Sequence, residues 1–234
     1  MANNHILNPG NKVTHLIDEL KESNKPAKLG PGLYCKDDEV YACKSGILKY
    51  KKPNLFWVNC HQKRYIPCKN DNVVGVVTQK QGDNYRVEIG SSDHAVISYL
   101  SFDGASKRNR PNINVGDTLF GEVIVANKHM EPEITCVDTS SGKARGKGVV
   151  LTNNGYTYTA KVSLNLARKI VSHNCNLLTE IGKRFPFEVF AGMNGIIIIS
   201  ARTSKQVLVI LNLIKSSEYL SNEEIISVLN ASFL

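Results

Sequence analysis

Between Val73 and Asp138 the chain alternates apolar and polar residues in five short runs, and no other stretch limits the possible folds so strongly. The runs are VVGVVTQ (Val73–Gln79), NYRVEI (Asn84–Ile89), AVISYL (Ala95–Leu100), TLFGEVIVA (Thr118–Ala126) and EITCVD (Glu133–Asp138). In the second, Tyr85, Val87 and Ile89 fall on one side and Arg86 and Glu88 on the other, the period of a half-buried strand. Five such strands, punctuated by Gly, Asp, Asn and Pro, predict a small closed barrel of the OB type. Its longest connection, within Ser98–Asp117, carries Lys107, Arg108, Asn109 and Arg110 between Gly104 and Pro111.

Charge makes that connection unusual. Residues 71–140 hold six basic and ten acidic side chains, and half of the basic ones sit at positions 107–110. Residues 1–70 and 141–234 each carry a net +6, and the whole chain carries +8 with a pI near 9.1. A cationic loop can simply be solvated surface that favours solubility, or it can grip a polyanion. Concentration against an acidic background favours phosphate contacts, with Lys107, Arg108, Asn109 and Arg110 as the RNA-binding candidates.

At 234 residues, 42% hydrophobic and 21% charged, the chain reads as a folded protein of two or three small domains. The start, MANNHILNPG, lacks the basic-plus-apolar pattern of a signal peptide. The longest apolar run, Ile196–Ile199, is too short to span a bilayer, so no membrane association is expected and a nucleocytoplasmic setting is. Cys35, Cys43, Cys60, Cys68, Cys136 and Cys175 contain no close pair of the kind that binds zinc, and a disulfide framework fits poorly without a secretion signal. No metal and no cofactor are expected. Cys136, inside an alternating run, reads as a small core residue.

Residues 1–28 are polar apart from a weak helical patch at Val13–Ser23 and are expected to be a flexible segment. From 29 to 68, short strands with turns at Lys36–Glu39 and Lys51–Asn54 predict a small β domain, with Trp57 as its core or interface anchor. The barrel then occupies 69–139, and the Lys143, Arg145 and Lys147 stretch is a linker over 140–147. From 148 to 234 the period changes. An Asn153-Asn154-Gly155 turn, a helix over Ser163–Val171, a second short helix, and strands on either side of Gly192–Gly195 predict a compact α/β domain. Thr203 with Gln206 and Ser221 with Glu224 have capping-box spacing before two closing helices.

Gly192, Met193, Asn194 and Gly195 form a glycine-bracketed loop in that domain, which invites comparison with the backbone-clamping GXXG loop of KH domains. A clamp needs free N–H groups and generally a basic neighbour. Here the central pair is Met-Asn and an apolar run follows at once. The structural reading is preferred: a loop packed on another domain, with the Asn194 amide satisfying backbone groups there.

Together, GPGL (Gly30–Leu33), QKRYIP (Gln62–Pro67), SYLSFDGASKRNRP (Ser98–Pro111), VGD (Val115–Asp117), VANKHMEPE (Val125–Glu133) and GMNG make the chain resemble one known family from Gly30 to its end. This is the ribosomal RNA-processing protein 40 family (exosome component 3), the non-catalytic cap subunits of the eukaryotic RNA exosome. The resemblance implies a mainly β chain with an N-terminal β domain, an S1-type OB barrel and a C-terminal α/β domain of the KH class. It implies that Lys107, Arg108 and Arg110 lie on a channel-facing loop and that GMNG is a structural variant of the KH loop. It also implies RNA, RNase PH-like ring subunits, other cap subunits and exosome-associated 3′–5′ ribonucleases as partners, in nucleus, nucleolus and cytoplasm. Ile196 and Ile198 stand where relatives often carry a basic residue and a tryptophan, so the neighbouring interface is expected to be repacked. A free-standing OB/KH RNA-binding protein is the alternative. Enzymatic activity is not expected, because the acidic residues are scattered and the histidines lack acid–base spacing.

Overall fold

The molecule, a computed structural model, divides into two compact units, Met1–His61 and Gln62–Leu234. The structure describes residues 5–20, 26–127, 129–138, 143–144, 146–150, 156–172, 175–220, 224 and 227. The Asn153-Asn154-Gly155 turn, half of the 140–147 linker and most of the segment that follows Ser221 lie outside these residues.

In the first unit the chain runs β1 (Ile6–Leu7), α1 (Thr14–Leu20), β2 (Lys28–Leu29), β3 (Leu33–Lys36), β4 (Glu39–Ala42), β5 (Gly46–Lys51) and β6 (Leu55–Asn59). The sheet order is β1-β5-β6-β2, with β3 and β4 as a separate hairpin. Asp37 and Asp38 both have positive φ, 51° and 60°, the conformation of a two-residue turn whose twist suits flanking strands. Residues 5–20 differ from the flexible segment expected for 1–28. Leu7, Val13 and Ile17 are buried in the same core as Leu33, Ala42, Leu48, Phe56 and Val58, and α1 is tied down where Val40 N–H donates to Thr14 Oγ1 at 2.9 Å. The pattern is hidden because the three buried side chains are spread over a two-residue strand, the link that follows it and a two-turn helix. Trp57 is only half-buried; the fully enclosed aromatic in this core is its neighbour Phe56.

The second unit begins with the barrel: β7 (Asn72–Gln81), β8 (Asn84–Glu88), β9 (Ala95–Ser98), β10 (Thr118–Val125) and β11 (Glu133–Thr135), extended by β12 (Gly148–Val149). The order is β11-β9-β8-β7-β10-β12, and an additional β11–β10 pairing closes the ring. Alternate residues face in: Val73 and Val77, Val87 and Ile89, Ala95 and Ile97, Leu119 and Val123, Ile134 and Cys136 are all buried. Register shifts at Val77/Gln79 and Val123/Val125 add the bends that a five-stranded closure needs. Burial pushes the Cys136 thiol up to about 12.

The remaining elements are β13 (Tyr156–Lys161), α2 (Leu164–Val171), α3 (Leu177–Gly182), β14 (Phe187–Ala191), β15 (Ile196–Ala201) and α4 (Ser204–Ser216). Their sheet order is β13-β15-β14, all antiparallel. Ser163 caps α2 through Leu166 N–H, and Thr203 and Gln206 make the reciprocal capping box of α4. Ile197, Ile199 and Ala201 face Leu166, Ile170, Ile181, Val207, Ile210 and Ile214 from the helices. Lys169 Nζ donates to the carbonyls of Ser217, at 2.5 Å, and Leu220, at 2.6 Å, which ties the turn after α4 onto α2. The opposite face of the sheet meets the barrel. Phe190, the register partner of Ile198, lies 5.6 Å from the Phe120 ring of β10. Ile198 is therefore an interface residue, 1% exposed and on the face that carries Phe190.

Candidate nucleic-acid interface

The cationic loop leaves β9 through a short 3-10 turn, Tyr99–Ser101, capped where Leu100 N–H donates to Ser98 Oγ. Phe102 and Ile113 are buried in the barrel core and pin its two ends, so the residues between them project from the barrel. Gly104, at φ 64°, starts the reversal. Ser106 N–H donates to Asn109 O at 2.9 Å, Asn109 N–H to Ser106 Oγ at 3.0 Å, and Asn109 Nδ2 to Gly104 O at 3.2 Å. Asn109 is thus the residue that shapes the loop.

The three cations differ. Arg110 Nη2 lies 3.1 Å from Asp83 Oδ1, and its guanidinium stands 4.8 Å from the Tyr99 ring centroid. Both partners of this pair are more than half exposed, so it orients the side chain with little net stabilisation. Lys107 and Arg108 are exposed, with no carboxylate partner among the described residues. The loop therefore offers two unpaired positive charges and a third held in place, a surface whose charge suits phosphate oxygens. Sequence reasoning missed Asp83 and Tyr99. Asp83 lies 27 residues from Arg110 and carried no signal.

The second candidate loop is placed very differently. Gly192–Gly195 joins β14 to β15 and inserts against the barrel. Asn194 is 4% exposed; its Nδ2 donates to Val74 O at 2.6 Å and to Ile89 O at 2.9 Å, while its Oδ1 accepts from Val74 N–H at 3.3 Å. Met193 N–H donates to Asn72 O at 2.8 Å, Gly192 N–H to Ile196 O at 2.9 Å and Gly195 N–H to Gly192 O at 3.1 Å. Those N–H groups are already engaged within the protein and are not free for phosphate. Both glycines are required by space. A Cβ on Gly192 would lie 2.2 Å from Asn194 Oδ1, and one on Gly195, which has φ 77°, would lie 2.6 Å from Val162 O. The loop is a plug that joins the α/β domain to the barrel.

No group of three or more His, Cys, Asp or Glu among the described residues is placed to hold a metal ion, and no helix among them is long and apolar enough to cross a membrane.

A closed five-stranded barrel braced by a β-α-α-β-β-α domain defines an S1–KH protein. Residues 65–148 match the family model described as exosome complex component RRP40, S1 domain, residues 158–205 match a KH domain, and residues 5–61 match the mammalian exosome complex component RRP40 N-terminal model. The chain is 43% identical to human exosome complex component RRP40 over 201 residues, covering 83% of this chain and 72% of the relative. It is 43% identical to the Drosophila melanogaster RRP40 over 217 residues, covering 93% and 90%, and 35% identical to that of Saccharomyces cerevisiae, covering 73% of each. The chain belongs to the exosome complex component RRP40 family. A solved crystal structure described as a candidate exosome complex RNA-binding protein superposes with a TM-score of 0.56 at 20% identity, covering 72% of this chain and 97% of that one, which shows the shared fold.

Proposed function

We propose that this chain is a non-catalytic, RNA-binding cap subunit of the RNA exosome, which stabilises the ring and guides RNA into its channel for 3′–5′ processing and degradation. The observation that carries the RNA part is the pair Lys107 and Arg108, exposed and unpaired on a barrel that is otherwise acidic, with Arg110 oriented beside them. Contacts of this kind neutralise phosphates whatever the sequence, which is what a passage for many different RNAs requires. The plug at Asn194 is a separate feature, which fixes the barrel against the KH domain.

In this reading the partners are RNA, the RNase PH-like ring subunits, the other cap subunits and exosome-associated 3′–5′ ribonucleases, met in nucleus, nucleolus and cytoplasm. The test is native mass spectrometry of the tagged chain purified from its own cells. One copy in a hetero-oligomer with ring subunits is expected. A monomeric mass with RNA bound would overturn the proposal in favour of a free-standing OB/KH RNA-binding protein.

A further inference from the structure

Among the described residues the outer edge of β13 is unpaired, and the ladder reveals which of its backbone groups face outward. Among the described residues β13 pairs only with β15, in the register Tyr156↔Ala201 through Lys161↔Ile196. One step beyond, Val162 N–H donates to Gly195 O at 2.8 Å, so Val162 and Gly195 are a hydrogen-bonded pair. Antiparallel ladders alternate bonded and non-bonded pairs. Ala160, Tyr158 and Tyr156 therefore bond to β15, while Lys161, Thr159 and Thr157 turn their N–H and C=O groups away from it. The far side of β15 agrees: Ile196 O accepts from Gly192 N–H, so the residues of β15 that face β14 are the ones that do not bond to β13.

Three successive outward donor–acceptor sets thus lie on an exposed edge. Thr157, Thr159 and Lys161 are all exposed and make no further hydrogen bond among the described residues. The side chains suit strand pairing: the edge reads YTYTAK, β-branched and aromatic, with Tyr156 60% and Tyr158 48% exposed. Proline, bulges and inward charges, three of the means of blunting an edge, are missing from this strand, whose one charged residue is the terminal Lys161. Its two ends are positive. Lys161 closes one, and Arg202, which follows the Ala201 opposite Tyr156, stands at the other; both are exposed and have no carboxylate partner among the described residues.

We propose that the β13 edge is a strand-addition site that takes an extended, acid-flanked segment of a protein partner. The added strand accepts from and donates to Thr157, Thr159 and Lys161, lays alternate side chains beside Tyr156 and Tyr158, and places its acidic ends against Lys161 and Arg202. This goes beyond the cap-subunit reading and does not rest on it, since it follows from the ladder and the edge charges.

The test uses the full chain and two synthetic peptides of alternating valine and threonine, one flanked by aspartates and one by lysines, read by amide hydrogen exchange. In the free chain the amides of Thr157, Thr159 and Lys161 exchange fast, and those of Tyr158 and Ala160 exchange slowly. The aspartate-flanked peptide should slow the first set by about tenfold or more at saturation, and the lysine-flanked peptide should not. Thr159→Pro removes an outward N–H without removing a bond to β15, so it should abolish that protection with the melting temperature nearly unchanged. Lys161→Glu, which leaves the backbone intact, should weaken the aspartate-flanked peptide and favour the other. No protection by either peptide overturns the proposal. So does protection that rises with protein concentration alone, the mark of a second copy, or protection given by an RNA oligonucleotide and not by peptide.

Discussion

Two short loops in this protein look alike as nucleic-acid contacts: Ser106–Arg110 on the barrel and Gly192–Gly195 on the KH domain. Each contains or closely follows a glycine, each carries an asparagine, and each leaves a β-strand or a turn that extends one. They differ in where their hydrogen-bonding groups are directed. In the KH loop the Asn194 amide makes three bonds to the barrel backbone, and the N–H groups of residues 192, 193 and 195 are engaged within the protein. In the barrel loop the internal bonds are made by Ser106 and Asn109, which leaves Lys107 and Arg108 outside the network. A loop becomes a binding surface when its shape is maintained by residues other than those that would bind. The barrel loop has that division of labour and the KH loop does not.

The largest effect that could break this comparison is at Asn194. Asn194→Ala leaves the carbonyls of Val74 and Ile89 buried without their side-chain partner, and should cost about 2–4 kcal/mol of stability by denaturant unfolding. RNA affinity per folded molecule should be unchanged. Gly195→Ala comes next, at roughly 1–3 kcal/mol, because it combines φ 77° with a close approach to Val162 O. If either variant kept its stability and lost RNA affinity, the KH loop would be the clamp.

Titration sharpens the same contrast between buried and exposed groups. The Cys136 thiol is raised to about 12 by burial, so it stays protonated in the folded barrel when it would ionise in the unfolded chain. Its stabilising contribution is complete below the ordinary thiol range near pH 8.5–9. It falls as pH rises towards 12, at up to about 1.4 kcal/mol per pH unit. Alkylation of the native protein at pH 8 should modify the exposed Cys35, Cys43 and Cys68 and spare Cys136, as read by peptide mass mapping. Rapid labelling of Cys136 would mean that the barrel opens. The smallest effect is at Asn109. Asn109→Ala removes one exposed bond to Gly104 O and should change stability by less than about 0.5 kcal/mol while modestly weakening RNA binding.

Much of this was legible in the chain. Period-2 alternation located all five barrel strands, and Thr203 with Gln206 marked the start of α4, because these signals are local and repeat within one element. The features that were not legible depend on distance. Asn194 finds its partners 105 and 120 residues away, and Arg110 finds Asp83 across 27. Residues 5–20 looked polar because Leu7 and Ile17 belong to elements too short to show a period and Val13 lies between them. Trp57 drew attention by its size, while the enclosed position fell to Phe56 by strand parity.

The central claim is that RNA is gripped at the barrel loop and that the KH loop holds the fold. Its most direct test is the salt dependence of RNA affinity in the assembled complex, measured for the wild type and for the triple variant Lys107→Ala, Arg108→Ala, Arg110→Ala. Three lost phosphate contacts should lower the slope of log affinity against log salt by about 2, equally for two RNAs of unrelated sequence. An unchanged slope in the triple variant, with the loss appearing instead in folded Asn194→Ala, would contradict the account.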